Sequence, residues 1–254
     1  MSRQAPDDAS DGLAARLAAR EAQLERLRRG LSDEKRAALE RRLRGAAQAA
    51  PVQRLMIPRR EAHPGDGEPT SFAQERLWFL AQLDPESAAY NLPSAVRLEG
   101  ALDVAALRRA LAEVVRRHAS LRTTFASRDG QPVQVVAPPG APGAAALSVV
   151  DLGPLAGRLA ARETRRLAAE IARQPFDLAA GPPFRAALLR ESPARSTLVV
   201  VVHHIVTDAW SAGVMVRELA ALYAAFVTGA PPELPELPLQ YADYARWQRG
   251  WLTG

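Results

Sequence analysis

The sequence predicts an α/β sandwich, a mixed β-sheet flanked by helices, preceded by a separate helical segment. Three observations carry that expectation. Leu198 to Val202 is a continuous apolar, largely β-branched run, the pattern of a strand covered on both faces. Val104, Leu107, Leu111, Val114 and Val115 form a sharply amphipathic helical stripe. Leu13, Leu17, Leu24, Leu27 and Leu31 form a second stripe, with heptad-like spacing and flanking charges, far from the strand-rich part of the chain.

From the N-terminus, the leucine stripe marks a first helix. Ser32 caps a second, with Asp33 and Glu34 in its first turn and Gly45 at its end. Residues 1–48 therefore read as a helical pair, either a hairpin packed on its own domain or a segment that meets a partner, and 49–68, with Pro51, Pro58 and Pro64 among Gly and Ala, as a linker. The main domain spans 69–254. A helix from Ser71 carries Gln74, Arg76 and Trp78, and a strand follows near Ser94 to Leu98. Asp103 caps the amphipathic helix, with Arg108, Arg109, Arg116 and Arg117 towards its outer face.

Asp129-Gly130 between short β-runs predicts a hairpin, with Val133 to Val136 as its second strand. Residues 145–151 read as a strand and 155–173 as a helix. The turn-rich segment from Pro175 enters the strand Arg185 to Arg190, which pairs with 197–203 across a short loop containing Ser192 and Pro193. A helix over 208–228, with Trp210, Val214, Leu219, Leu222 and Phe226 near a 3.6-residue period, is expected to lie on the sheet and end at Gly229. A proline-rich loop over 231–238 leads to a final helix.

Composition narrows the function. The 254 residues include no cysteine, which excludes disulfides, thiolate zinc sites and a cysteine nucleophile. No uninterrupted apolar run suggests a membrane span, and the polar, acidic start suggests no signal peptide, so a cytoplasmic location is expected. The net charge of +5 is uneven: residues 1–60 carry 14 basic and 8 acidic side chains, and the remainder 19 and 20. The basic residues lie on leucine-striped helices without interleaved aromatics. An acidic protein partner is therefore expected rather than nucleic acid.

The chemistry concentrates at His203 and His204, two of four histidines, at the end of the apolar strand beside Asp208. Successive strand residues face opposite ways, so one imidazole should face a cleft and the other should be locked inside. Divergent rings cannot form a two-histidine, one-carboxylate metal site. Nothing has the form of a nucleophile elbow.

The block His-His-x-x-x-Asp-x-x-Ser over His203 to Ser211 resembles the signature of nonribosomal peptide synthetase condensation domains, which have the chloramphenicol-acetyltransferase-like fold. Three more blocks resemble the family's motifs in order: Ser71 to Leu80, Arg117 to Phe125 and Tyr241 to Trp247. The segment Pro175 to Arg185 is also similar. The resemblance implies the histidine-bearing N-terminal lobe of a two-lobed fold, with residues 1–48 as a docking segment and the C-terminal lobe absent, so that the chain is either a fragment or half a site completed by another chain.

It implies an acyltransferase that joins a carrier-bound acyl or peptidyl thioester donor to a carrier-bound aminoacyl acceptor. No cofactor or metal is bound in the domain itself, and the substrates ride on phosphopantetheine arms of upstream and downstream carrier proteins. His204 faces the tunnel, as general base or as a hydrogen-bonding group that orients the amine. His203, Trp210 and Ser211 are structural, and Asp208 makes an ion pair with Arg76, Arg122 or Arg185. The N-terminal end of the helix after Asp208, if close to His204, keeps that ring neutral. Ala209 stands where the family usually has glycine, which is harmless if the residue is right-handed helical. Two alternatives remain open at this point: a freestanding chloramphenicol-acetyltransferase-like enzyme active as an oligomer, and a non-catalytic carrier-docking module.

Overall fold

Two sheets and five helices form the described part of the computed structural model, which covers residues 57–59 and 67–252 apart from 142, 144 and 156. The helices expected within residues 1–48 lie outside the described residues. A strand β1 (Glu68–Pro69) stands where the end of a linker was expected. It is followed by α1 (Phe72–Leu83), β2 (Asn91–Glu99), α2 (Val104–Arg117) and a 3₁₀ turn (Ala119–Arg122). Next come β3 (Thr123–Arg128), β4 (Gln131–Val136), β5 (Leu147–Asp151) and α3 (Gly157–Arg173). The order ends with β6 (Phe184–Ser192), β7 (Arg195–His203), α4 (Ala209–Thr228) and α5 (Tyr241–Trp251).

The larger sheet has the order β2-β7-β6-β5, mixed because β5 and β6 run parallel across α3. The smaller, β1-β4-β3, is antiparallel and turns through Asp129 and Gly130, whose φ of 50° and 77° suit a hairpin turn with two left-handed positions. Strand β7 is central and shows why its sequence is continuously apolar. Leu198, Val200 and Val202 pack in a core with Leu107, Leu111 and Val114 of α2. Val199 and Val201 face a second cluster with Ala160, Leu167 and Ile171 of α3. The sandwich is thus a helix on each face of one sheet, and alternation along β7 delivers the histidine pair at its end.

Two expectations about α2 and α4 are corrected. Arg117 is not on the outer face: its side chain is buried and reaches Glu218, with Nε 3.1 Å from the carboxylate. Helix α4 packs chiefly against α2 rather than on the sheet; Leu222 is the residue it buries, while Trp210 is 81% exposed. By length and mean hydropathy α4 is apolar enough to cross a membrane, although it holds no uninterrupted apolar run. However, Arg217 and Glu218 interrupt its middle, and Glu218 bonds inward to Arg117 and to His118 Nε2, the latter at 2.9 Å. The helix is therefore held by Leu222, by Met215, Leu219, Tyr223 and Phe226 packed partly buried against the same core, and by the Glu218 charge cluster.

Candidate active site

The strand β7 ends at His203 and a tight turn carries the chain to the cap of α4. His203 anchors that turn. Its backbone N–H reaches the Pro183 carbonyl, its carbonyl accepts from Val206, and its Nδ1 accepts the Ile205 N–H at 3.1 Å. The ring is buried between Tyr90 and Phe176, with ring centroids 6.2 and 6.1 Å away. Burial, reinforced by His204 nearby, lowers its pKa to about 4, so it stays neutral and Nδ1 stays an acceptor.

His204 turns the other way and is exposed. Its backbone N–H donates to the Tyr90 carbonyl at 2.8 Å. Its Nδ1 lies 2.7 Å from the Thr207 carbonyl oxygen, which can only accept, so Nδ1 carries the proton. Nε2 is left with its lone pair, the form a base requires. The two imidazoles therefore diverge, as strand alternation predicts.

Asp208 is the N-cap of α4: its carboxylate accepts from the Ser211 N–H at 2.8 Å and from Ser211 Oγ at 2.7 Å. These bonds hold its pKa below the usual carboxylate range, with a smaller contribution from His204. The expected ion pair with an arginine is not formed among the described residues. Arg76 is exposed on α1. Arg122 gives Nη1 to the Ala137 carbonyl and leaves Nε buried without a partner. Arg185 donates to the carbonyls of Ile171, Gln174 and Pro175 and lies 4.3 Å over the Phe176 ring. Burial lowers the pKa of both Arg122 and Arg185. The carboxylate is satisfied locally instead, because a capping bond one turn away is geometrically easier than a long-range pair.

The helix terminus also does not act on His204 as a bare positive end, since its own cap places a carboxylate there. Ala209 is the first residue of α4 and has negative φ, so its side chain causes no strain. Trp210 and Ser211 follow in the first turn, Trp210 outward and Ser211 on the Asp208 carboxylate.

Beside this turn is a cleft of ≈ 230 Å³, lined by Leu121, Val206, Met215, His118, Thr207 and Tyr241; His204 is not among its lining residues, and the His203 ring borders a separate cleft with Tyr90 and Phe176. The motif blocks meet around it. Ser71 Oγ, which caps α1, is 3.0 Å from the Tyr241 hydroxyl at the start of α5, 170 positions away. Gln240, the cap of α5, bonds to the N–H of Ala119 and the carbonyl of Arg117. Sequence reasoning missed Tyr90, Glu218 and His118 as neighbours of the site. Tyr90 meets His204 through its backbone, which carries no signal in residue type, and Glu218 looks like an ordinary exposed helix residue.

A family model described as the condensation domain matches residues 66–253. The chain belongs to the condensation-domain family. Condensation domains of nonribosomal peptide synthetases catalyse amide-bond formation and work with carrier proteins. Chondramide synthase cmdD of Chondromyces crocatus is 52% identical over 191 residues, covering 75% of this chain and 5% of that protein. Phosphinothricin tripeptide synthetase PhsC of Streptomyces viridochromogenes is 43% identical over 222 residues, covering 87% of this chain and 20% of that protein.

Among solved structures, the starter condensation domain of rhizomide synthetase RzmA superposes with a TM-score of 0.66 at 25% identity, over 75% of this chain and 45% of that one. The complex of the X-domain and OxyB from teicoplanin biosynthesis gives 0.63 at 36% identity, over 76% and 40%. The condensation-domain chain thus spans a small part of these curated relatives and less than half of these solved chains. The fold is the chloramphenicol-acetyltransferase-like one expected.

Proposed function

We propose that this chain supplies the histidine half of an amide-forming site that joins a carrier-bound acyl or peptidyl thioester to a carrier-bound aminoacyl group. The single observation that carries the proposal is the exposed His204 ring with Nδ1–H fixed on the Thr207 carbonyl. Nε2 accepts a proton from the amine as its nitrogen attacks the thioester carbonyl. The carbon–sulfur bond then breaks, and the departing thiolate takes up the proton, so the imidazole is restored. No acyl-enzyme is required. The thioesters are carried on phosphopantetheine arms of an upstream and a downstream carrier protein. The surplus of basic residues in 1–60 suits an acidic docking partner.

The test is single-turnover product formation by the synthetase that contains this domain, with both carriers loaded, followed by mass spectrometry of the acceptor carrier. The acceptor should gain the mass of the donor acyl group, and His204→Ala should abolish the gain. Undiminished product with His204→Ala rejects the proposal.

A further inference from the structure

Asn91 stands opposite His203 in the β2–β7 ladder and is 8% exposed. Its carboxamide nitrogen lies 2.8 Å from the Ala172 carbonyl and 2.8 Å from the Gln174 carbonyl. These are carbonyls at the end of α3, where the helix itself supplies no donors. Its Oδ1, in contrast, is buried and has no partner. An unmade buried hydrogen bond is destabilising, and such a residue calls for an explanation beyond packing. Its neighbour provides one. Tyr90 accepts the His204 backbone N–H at 2.8 Å through its carbonyl, and its ring packs on His203.

Arg185 grips the same helix end from the other side of β7. It pairs in register with Val201 and donates to the carbonyls of Ile171, Gln174 and Pro175. The end of α3 is therefore held by one residue from each strand flanking β7. Of the two, Asn91 is the one that adjoins the backbone acceptor of His204.

We propose that Asn91 is a positioning residue for the His204 imidazole. It pins the start of β2 to the end of α3, so the Tyr90 carbonyl stays against the His204 N–H and the turn keeps the Thr207 carbonyl on Nδ1. Without that clamp, residues 90 and 91 shift, the turn loosens, and the Nδ1–H tautomer is no longer selected. The inference rests on reading His204 as the proton acceptor, but its test needs no turnover.

The test is two-bond proton–nitrogen correlation of the imidazole rings in the whole chain, with thermal midpoints, for wild type, Asn91→Ala, Asn91→Ser and Arg185→Gln. In wild type the His204 proton is on Nδ1. Asn91→Ala should shift the tautomer ratio towards Nε2–H by roughly threefold or more, the effect of losing one modest hydrogen bond. Asn91→Ser, with one donor left, should fall between them, and serves if the alanine variant does not fold. Arg185→Gln should lower the midpoint and leave the His204 tautomer as in wild type. Unchanged tautomers in the Asn91 variants, or the same change in Arg185→Gln, would reduce Asn91 to a helix cap and overturn the inference. A synthetase that makes no amide while these ring results hold leaves the inference standing and overturns only the function proposed above.

Discussion

The Thr207 carbonyl oxygen sits 2.7 Å from Nδ1 of His204, three residues back along the same turn. That contact sets the tautomer, because a carbonyl cannot donate, and its acceptor is a backbone group rather than a side chain. The reactive nitrogen is thereby chosen by the shape of the turn. What the ring then does is open to direct measurement.

His204→Gln can still hydrogen-bond but cannot take a proton at working pH. Amide formation in the loaded synthetase is expected to fall by ~10²–10⁴, the usual contribution of general acid–base catalysis. Stability should change by less than about 0.5 kcal/mol, since the side chain is exposed. A glutamine variant within about tenfold of wild type would show that the ring orients the amine instead.

His203 makes stability pH-dependent. Its folded pKa of about 4 lies below the 6.5 of an unfolded histidine, so the unfolded chain binds more protons between those values. Its effect is absent above pH 6.5 and grows as pH falls through that window, reaching on the order of 3 kcal/mol of lost stability near pH 4. Denaturant unfolding at a series of pH values measures the slope. His203→Gln, which has no titrating proton, should flatten it, and an equally steep slope in that variant assigns the effect elsewhere.

Asp208 is a cap rather than half of a buried ion pair. Asp208→Ala should therefore cost ~1 kcal/mol, the usual loss for a helix N-cap, and Asp208→Ser should recover most of it. A loss of ~3–5 kcal/mol in equilibrium unfolding would point to a desolvated arginine partner after all.

Glu218 is where the large energetic effect is expected. Burial by itself would raise its pKa, but hydrogen bonds from Arg117 and His118 outweigh that and hold the carboxyl below its usual range. Glu218→Gln leaves the buried Arg117 guanidinium without a counter-charge and is expected to destabilise by ~3–5 kcal/mol. Adding Arg117→Met should recover much of the loss. Strict additivity of the two substitutions in a double-mutant cycle would deny the coupling.

Periodic and contiguous features were legible in the chain itself. The strand at 198–202 was identifiable because a β-branched run is what a doubly covered strand requires, and the helix expected over 208–228 followed from its 3.6-residue apolar spacing and its stop at Gly229. The divergence of His203 and His204 followed from strand alternation alone, and the Asp129-Gly130 turn from the left-handed backbone it demands. The helix start at residue 208 was legible too, but the satisfaction of Asp208 by Ser211 rather than by an arginine was not, because sequence does not rank a local bond against a distant one.

What only the tertiary structure decided is which distant groups meet. Tyr90 lies next to His204 because β2 pairs with β7 in one particular register, and a shift of one residue would put a different carbonyl there. Glu218 faces inward because α4 leans on α2, a choice of neighbour that helical period cannot specify. Local order follows from the backbone's short-range sterics and the polar–apolar pattern, both written along the chain. The site also depends on register and packing between segments far apart in sequence, and those are properties of the assembled fold.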